Sequence, residues 1–309
     1  MSLNNAFREV AIEKSNKQPQ MVDQLLEESP ILASIPVEDS TDELHNVYEE
    51  LESVTEAQIV DGDEALPVVN ATTDLKQVDL SIIGGIIEVG EDKAKRYGGA
   101  ARYFTRKQAP IFRKTGNSLE QSIIYNNLRA FAQENGKLQD AGGSTADKQN
   151  SIIAVTWVSG EINGLMSPTG FGDGAVMDVL PINGGNLYKD SNNRLVYGVR
   201  YKSYFGMQLA NARYVSGIAN IDLQDADPAN WDIPSEEDIE VMLEDCRAGE
   251  NTRIYCHPKV WRLVLSKYKA AALQTLVGDG DYNRLINAWD TTQIQTSRNF
   301  TVDAEAVVS

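Results

Sequence analysis

Chemistry needs nucleophiles, bases or metal ligands held close together, and this chain offers few. Its only histidines are His45 and His257, and its only cysteines are Cys246 and Cys256. The adjacent Cys256 and His257 would pair a thiol with a base, which is the making of an activated nucleophile. On an extended segment, however, neighbours point to opposite sides. A cysteine ending the apolar run NTRIYC reads instead as a small buried hydrophobe. No CxxC or HxxxH spacing occurs, so these four residues do not compose a zinc site. Asp279, Asp281, Asn283 and Asp290 stand at positions 1, 3, 5 and 12 of a calcium-loop pattern, but Arg284 occupies the position where that loop requires glycine. The following LINAW reads as helical, so a polar loop with a helix cap is the expectation. GFGDG (170–174) is not followed by a helix pattern, YGVRYKSYFG lacks phosphate-loop spacing, and GxxxxGK[ST] is absent. The sequence therefore predicts no catalytic residue, no metal and no cofactor: the chain is not expected to be an enzyme.

The charge pattern is more informative. The 309 residues carry a net charge of −17, and residues 1–91 hold 20 acids against 4 bases, a net −16. Residues 93–114, KAKRYGGAARYFTRKQAPIFRK, hold eight bases and no acid. An acidic third thus abuts a short basic segment. The acids can serve as a solvated surface that keeps the protein soluble, or they can lie on the basic segment of a neighbouring molecule. The aromatics among the bases, Tyr97, Tyr103, Phe104 and Phe112, leave a nucleic-acid-binding module as the alternative reading. No apolar run approaches the ~20 residues of a membrane span. The N-terminus has no basic stretch followed by an apolar one, and two cysteines give no disulfide framework, so a reducing cytoplasm is the expected setting.

The elements fall in segregated runs, which predicts an α+β fold. Residues 4–35 read as two short helices with too few apolar positions for a core of their own. Such an arm packs on the body or on a neighbour. LHNVYEEL and VTEAQIV read as strands, followed by a loop with an Asp61-Gly62 turn signal. In QVDLSIIGGIIEVGE (77–91), Val78, Leu80 and Ile82 are apolar at even positions and Ile87 and Val89 at odd ones. That change of parity predicts one continuous strand bent or bulged at Gly84-Gly85, with a glycine hairpin turn as the other option. Ser118 to Gln121 reads as a capping box opening a helix that ends at Asn135-Gly136, after breaks at Pro110 and Gly116. SIIAVTWVSG and the stretch 194–222 read as strands. A helix starts at Pro234-Ser235-Glu236-Glu237, NTRIYC is a strand, Pro258 opens a helix through WRLVLSKYKAAALQ, and TVDAEAVV closes as a strand.

The order of these pieces resembles a known family. ELHNVYEELESVTEAQIV, QVDLSIIGGIIEVGEDKAKRYGG, AFAQENGK, SIIAVTWVSGEINGLMSPTG, FGMQLANARYVSGIANIDLQD and RIYCHPKVWRLVL together resemble a tailed-bacteriophage major capsid protein of the gene-product-seven-like group. ARYVSGIANID and RIYCHPKVW are the most specific pieces. The resemblance implies a Hong Kong ninety-seven-type capsid fold: an N-terminal arm (1–36), an extended loop (37–92), a peripheral domain with a long spine helix (93–222, the helix at about 115–135) and an axial domain (223–309). It implies a structural protein assembling as pentamers and hexamers into an icosahedral shell around double-stranded DNA. The expected partners are further copies of the chain, portal and scaffold or decoration proteins, and DNA bound without sequence specificity. No membrane is expected. The expected location is the virion, after assembly in the host bacterial cytoplasm. In that frame the candidate intersubunit contacts are Val78, Leu80, Ile82, Ile86, Ile87, Val89, Arg102, Arg106, Lys107 and Arg113, with Gly84 and Gly85 as the bend. Residues up to about 92 are expected to find shelter on sister chains.

Overall fold

The computed structural model describes residues 24–57, 59, 68–167, 177–268, 272–279, 282–290 and 292–308. The N-terminal 23 residues of the expected arm, the Asp61-Gly62 turn, GFGDG and Asp281 lie outside them. In chain order the elements are α1 (Pro30–Ser34), β1 (Val37–Asp39), β2 (His45–Val54), β3 (Ala71–Asp79), β4 (Ser81–Gly90), α2 (Glu91–Arg96) and a long helix α3. Then come β5 (Leu138–Asp140), β6 (Gln149–Thr156), β7 (Ile162–Met166), β8 (Met177–Pro181), β9 (Tyr188–Lys189), β10 (Leu195–Leu209) and β11 (Val215–Asp222). α4 (Glu236–Asp245), β12 (Thr252–Cys256), α5 (Pro258–Leu263), β13 (Ala272–Asp279), β14 (Tyr282–Trp289) and β15 (Thr292–Thr296) complete the chain.

Among the described residues the strands form three sheets. A six-stranded sheet runs β1-β7-β10-β4, with β8 and β9 also on β10. A seven-stranded sheet runs β13-β14-β15-β12-β6-β11-β5, and β2 pairs with β3 alone. At the centre of the seven-stranded sheet β12, β6 and β11 are buried on both faces, which is why the SIIAV stretch of β6 reads as a continuous apolar run rather than an alternation. Ile153, Val155 and Tyr255 face a core shared with α1 and α3. Ile152, Ala154, Ile254 and Cys256 face a second core closed by α4, with Val260, Val264 and Leu265. A domain boundary at 222 is therefore corrected: β5, β6 and β11 lie in the same sheet as β12 to β15. Adjacent strands in space need not be adjacent in sequence.

α3 is longer than its sequence signals. It runs as α-helix over Ala100–Ser122, winds as π-helix over Ile123–Arg129, and returns to α-helix over Ala130–Glu134. Ser118 is thus an interior residue, not a cap, and Pro110 and Gly116 lie inside the helix. Gly116 is where segment 24–36 crosses: a Cβ there would stand 2.0 Å from the Leu25 carbonyl oxygen. That close approach lets Leu25, Leu26, Ile31, Leu32 and Ile35 enter the core of their own chain.

The segment 77–91 is corrected in three respects. β4 pairs with β10 without interruption from Ser81↔Phe205 to Gly90↔Val196, so Gly84 and Gly85 make neither a bend nor a turn. They are needed for close approach, since a Cβ on Gly84 would meet the Tyr201 carbonyl oxygen at 2.4 Å, and one on Gly85 the Tyr201 hydroxyl at 2.8 Å. The parity change falls at Leu80, which separates β3 from β4. The partner of β2 is β3 rather than VTEAQIV. Ala272 to Gln274 and LINAW are strand, paired within the β13–β14 hairpin, rather than helix; the first two residues of AAALQ lie outside the described residues. The terminal TVDAEAVV makes one bridge, Gln149↔Glu305, rather than a strand.

Candidate functional site

The residues that could do chemistry are dispersed. Cys256 is fully buried, and burial pushes its thiol up to about 12. His257 caps α5, its Nδ1 accepting from the Lys259 amide at 3.0 Å, and burial holds its imidazole below the usual value. Asp279 ends β13, opposite Tyr282, while Asp290 follows β14. The eight residues of β14 separate the first and last positions of the calcium pattern, about 26 Å at ~3.3 Å per residue. No loop of that shape can wrap one ion. Among the described residues no group of three or more His, Cys, Asp or Glu could hold a metal.

What the fold leaves unfinished is a surface. Among the described residues each strand of the β2–β3 hairpin pairs only with the other. An isolated two-stranded hairpin is marginally stable in water. β3 has no buried residue, and Val47, Leu75, Val68 and Val69 are all exposed. The hairpin is pinned to the body at its root. There Asn46 donates to Gln208 Oε1 at 2.7 Å and accepts from the Thr41 amide at 2.9 Å, and the Leu80 amide donates to the Leu44 carbonyl at 2.8 Å. Residues 45–79 carry nine acids and one base, Lys76, so this stretch of the sequence is strongly acidic.

β4 continues the surface. Its odd positions face α3, and its even positions face out. Ile87 and Val89 pack with Ala94 and Tyr103, while Ile82 and Ile86 are 59% and 58% exposed. The register places Ile86 beside Arg200, which lies beside Leu180 on the far side of β10; Leu180 is also exposed. A groove of about 520 Å³ lies between the root of β4 and α3, lined by Ile82, Leu119, Ser122, Asn127, Phe205 and Met207.

The candidate contact residues therefore divide. Leu80, Ile87 and Val89 are 6%, 9% and 3% exposed within the single chain, so they are core and not available to a neighbour. Val78 is half-buried, and Ile82 and Ile86 are open. Arg102, Arg106 and Lys107 are exposed on the first half of α3. Arg113 pairs with Glu27 of the same chain at 2.6 Å. The aromatics of the basic segment are spent internally. Phe112 is fully buried, Tyr103 is 8% exposed, and Lys93 lies 5.4 Å over the Tyr103 ring. That leaves no row of free rings on which bases could stack.

Sequence reasoning missed two buried networks. Glu120 and Glu305 each sit at the meeting of the terminal segment with α3. Glu305 pairs with Arg129 at 3.1 Å and accepts from the Tyr125 hydroxyl at 2.6 Å and from Ser151 Oγ at 3.1 Å. Burial raises its carboxyl although Arg129 opposes the shift. The sequence carries no signal for such contacts beyond acids at positions with apolar neighbours.

Residues 121–268 match the family model of the major capsid protein GP7. The chain is similar to a capsid structure of bacteriophage Epsilon15, at 14% identity and a TM-score of 0.56, over 88% of this chain and 87% of that one. It is also similar to the capsid of bacteriophage JBD30, at 10% identity and a TM-score of 0.51, over 85% and 88%. No curated protein matches the sequence. At these identities the structural likeness establishes the fold, which is the Hong Kong ninety-seven-type capsid fold.

Proposed function

We infer that this chain is a major capsid protein of a tailed bacteriophage, a coat protein whose copies build the icosahedral shell of the virion. One observation carries the reading: the residues that match the capsid family model, 121–268, run through both large sheets of a chain whose fold is that of phage capsids. The unfinished hairpin agrees with it. A two-stranded projection with exposed apolar side chains gains its missing partner surface from a neighbour. If each hairpin and its seat bury about 1,600 Å², each contact is a standard-size interface. Contacts of one patch with a different patch are head-to-tail, and they close into rings when the rotation allows. Here the rings are pentamers and hexamers. Many modest contacts held in one closed shell act as a multivalent whole.

The exposed members of the candidate set remain as contacts: Ile82 and Ile86 on β4, and Arg102, Arg106 and Lys107 on α3. The acids of the hairpin meet these bases on a neighbouring copy. Such exposed pairs set register more than stability. The shell encloses double-stranded DNA, which the acidic chain holds without sequence specificity and without tight phosphate binding. Portal and scaffold or decoration proteins complete the particle in the host bacterial cytoplasm. The chain's role is structural rather than enzymatic.

Sedimentation and negative-stain microscopy of the purified protein test the reading: closed shells or rings are expected, and a monomer at high concentration refutes it. Reversing Arg106 and Lys107 to glutamate should leave the melting temperature unchanged and slow or misdirect assembly. Wild-type yield and diameter from that variant would overturn the assignment of these bases.

A further inference from the structure

Segment 24–36 is held on α3 by Arg113, Gly116, Asn117 and Glu120, whose spacing puts them on one face of the helix over two turns. Arg113 Nε donates to Glu27 Oε2 at 2.6 Å, and Gly116 admits the Leu25 carbonyl. Asn117 Oδ1 accepts from Ser29 Oγ at 3.1 Å, while its Nδ2 donates to Glu28 Oε2 at 3.0 Å. Glu120, fully buried, accepts the Leu32 amide on Oε2 at 2.9 Å. On Oε1 it accepts from Ser297 Oγ and from Asn299 Nδ2, the latter at 2.9 Å. One carboxyl thus ties together the arm, α3 and the terminal segment.

We propose that Glu120 is a proton-operated clamp that sets how firmly residues 24–36 are held to the body of the molecule. Its donors are neutral: an amide, a hydroxyl and a carboxamide. The charged or titratable groups on the elements packed around it are Glu27 and Glu28 on the arm, Arg113 on α3, the exposed Arg298 on the terminal segment, and the buried Tyr255 on β12. The Arg113 cation is already matched by Glu27. Burial therefore prevails over the hydrogen bonds and holds the Glu120 carboxyl above the ordinary carboxylate range. When the arm lifts, water reaches Glu120 and its affinity for a proton returns to the ordinary value. The docked arm consequently binds a proton that the lifted arm releases. Docking is firmest below the ordinary value of 4.5, weakens as pH rises through the raised docked value, and stays constant once both states are ionised. The device operates within one chain and does not depend on shell formation.

Hydrogen exchange of the full-length protein tests this. Protection of the amides of 25–35, corrected for intrinsic exchange, should rise as pH falls from neutral toward the ordinary carboxyl value, and Glu120→Gln should lose that rise while β6 stays protected. A flat wild-type profile, or a rise that survives in Glu120→Gln, overturns the proposal. Asn299→Ala supplies a second measurement should the glutamine variant fail to fold. It removes a donor that favours the ionised form, so the midpoint of the rise should move to higher pH. An unmoved or lowered midpoint contradicts the clamp.

Discussion

Replacing Gly116 by alanine inside a helix would ordinarily stabilise it by about 1 kcal/mol, because glycine is the poorer helix former. Here the opposite is expected. The added methyl would stand 2.0 Å from the Leu25 carbonyl oxygen and 3.1 Å from both the Leu25 carbonyl carbon and Ser29 Oγ. The nearest atom is backbone and cannot rotate aside, so segment 24–36 must withdraw by roughly 1.4 Å to reach an ordinary carbon–oxygen contact, and a gap of even about 1 Å forfeits a quarter to a half of the contact energy across it. The side chains affected are Leu25 and Leu26, 4% and 5% exposed, and Ile31 and Leu32, fully buried. Full burial of each is worth about 1.5–3 kcal/mol, so at a quarter to a half of that the four together lose roughly 1.5–6 kcal/mol. After the helix-propensity gain of about 1 kcal/mol, the net loss is about 0.5–5 kcal/mol. Urea unfolding of the full-length protein measures it as a lower midpoint. Gly249→Ala is the control, because a Cβ there meets nothing within 4 Å, and its effect should stay within about 0.5 kcal/mol. A Gly116→Ala protein as stable as wild type, or more so, refutes the reasoning that this glycine exists for close approach.

Other outcomes follow from the same contacts. Gly84→Ala should lower the melting temperature, because its Cβ would strike the Tyr201 carbonyl in an unbroken strand ladder; an unchanged melt would mean that β4 is free to shift on β10. Arg129→Met should cost about 3–5 kcal/mol by leaving buried Glu305 without its cation, and adding Glu305→Leu should restore most of that loss; denaturant midpoints of the two variants check the sign. Burial pushes the thiol of Cys246 up to about 11 and that of Cys256 up to about 12. A thiol reagent at pH 8 should therefore label neither in the native protein and both in urea, and native labelling faster than unfolding would contradict their burial.

Several elements were legible because one local rule decided them. Ser235 followed by Glu236, Glu237 and Asp238 announced the start of α4, and the Ser235–Asp238 capping box is present. SIIAVTWVSG and NTRIYC read as strands, and the structure buries β6 and β12 on both faces. The resemblance found in the order of these pieces led to the capsid fold. The hairpin partner of β2, the length of α3 and its π-helical stretch were not legible. Pro110 and Gly116 carry strong local signals for a break, and packing of the helix under segment 24–36 and the sheets overrides them. The glycine pair in β4 misled for a related reason, since a turn and a close approach call for the same residue.

The sequence by itself determined that this is an acidic chain of segregated helix and strand runs, and it placed the acids in the first third and the bases next to them. Those properties follow from composition and short-range pattern. Only the tertiary structure decided which apolar residues are core and which are surface. Leu80, Ile87 and Val89 differ little in type from Ile82 and Ile86, yet β10 and α3 bury the first three and leave the other two open. Burial depends on what lies across a strand from distant parts of the chain, and no local spacing encodes that.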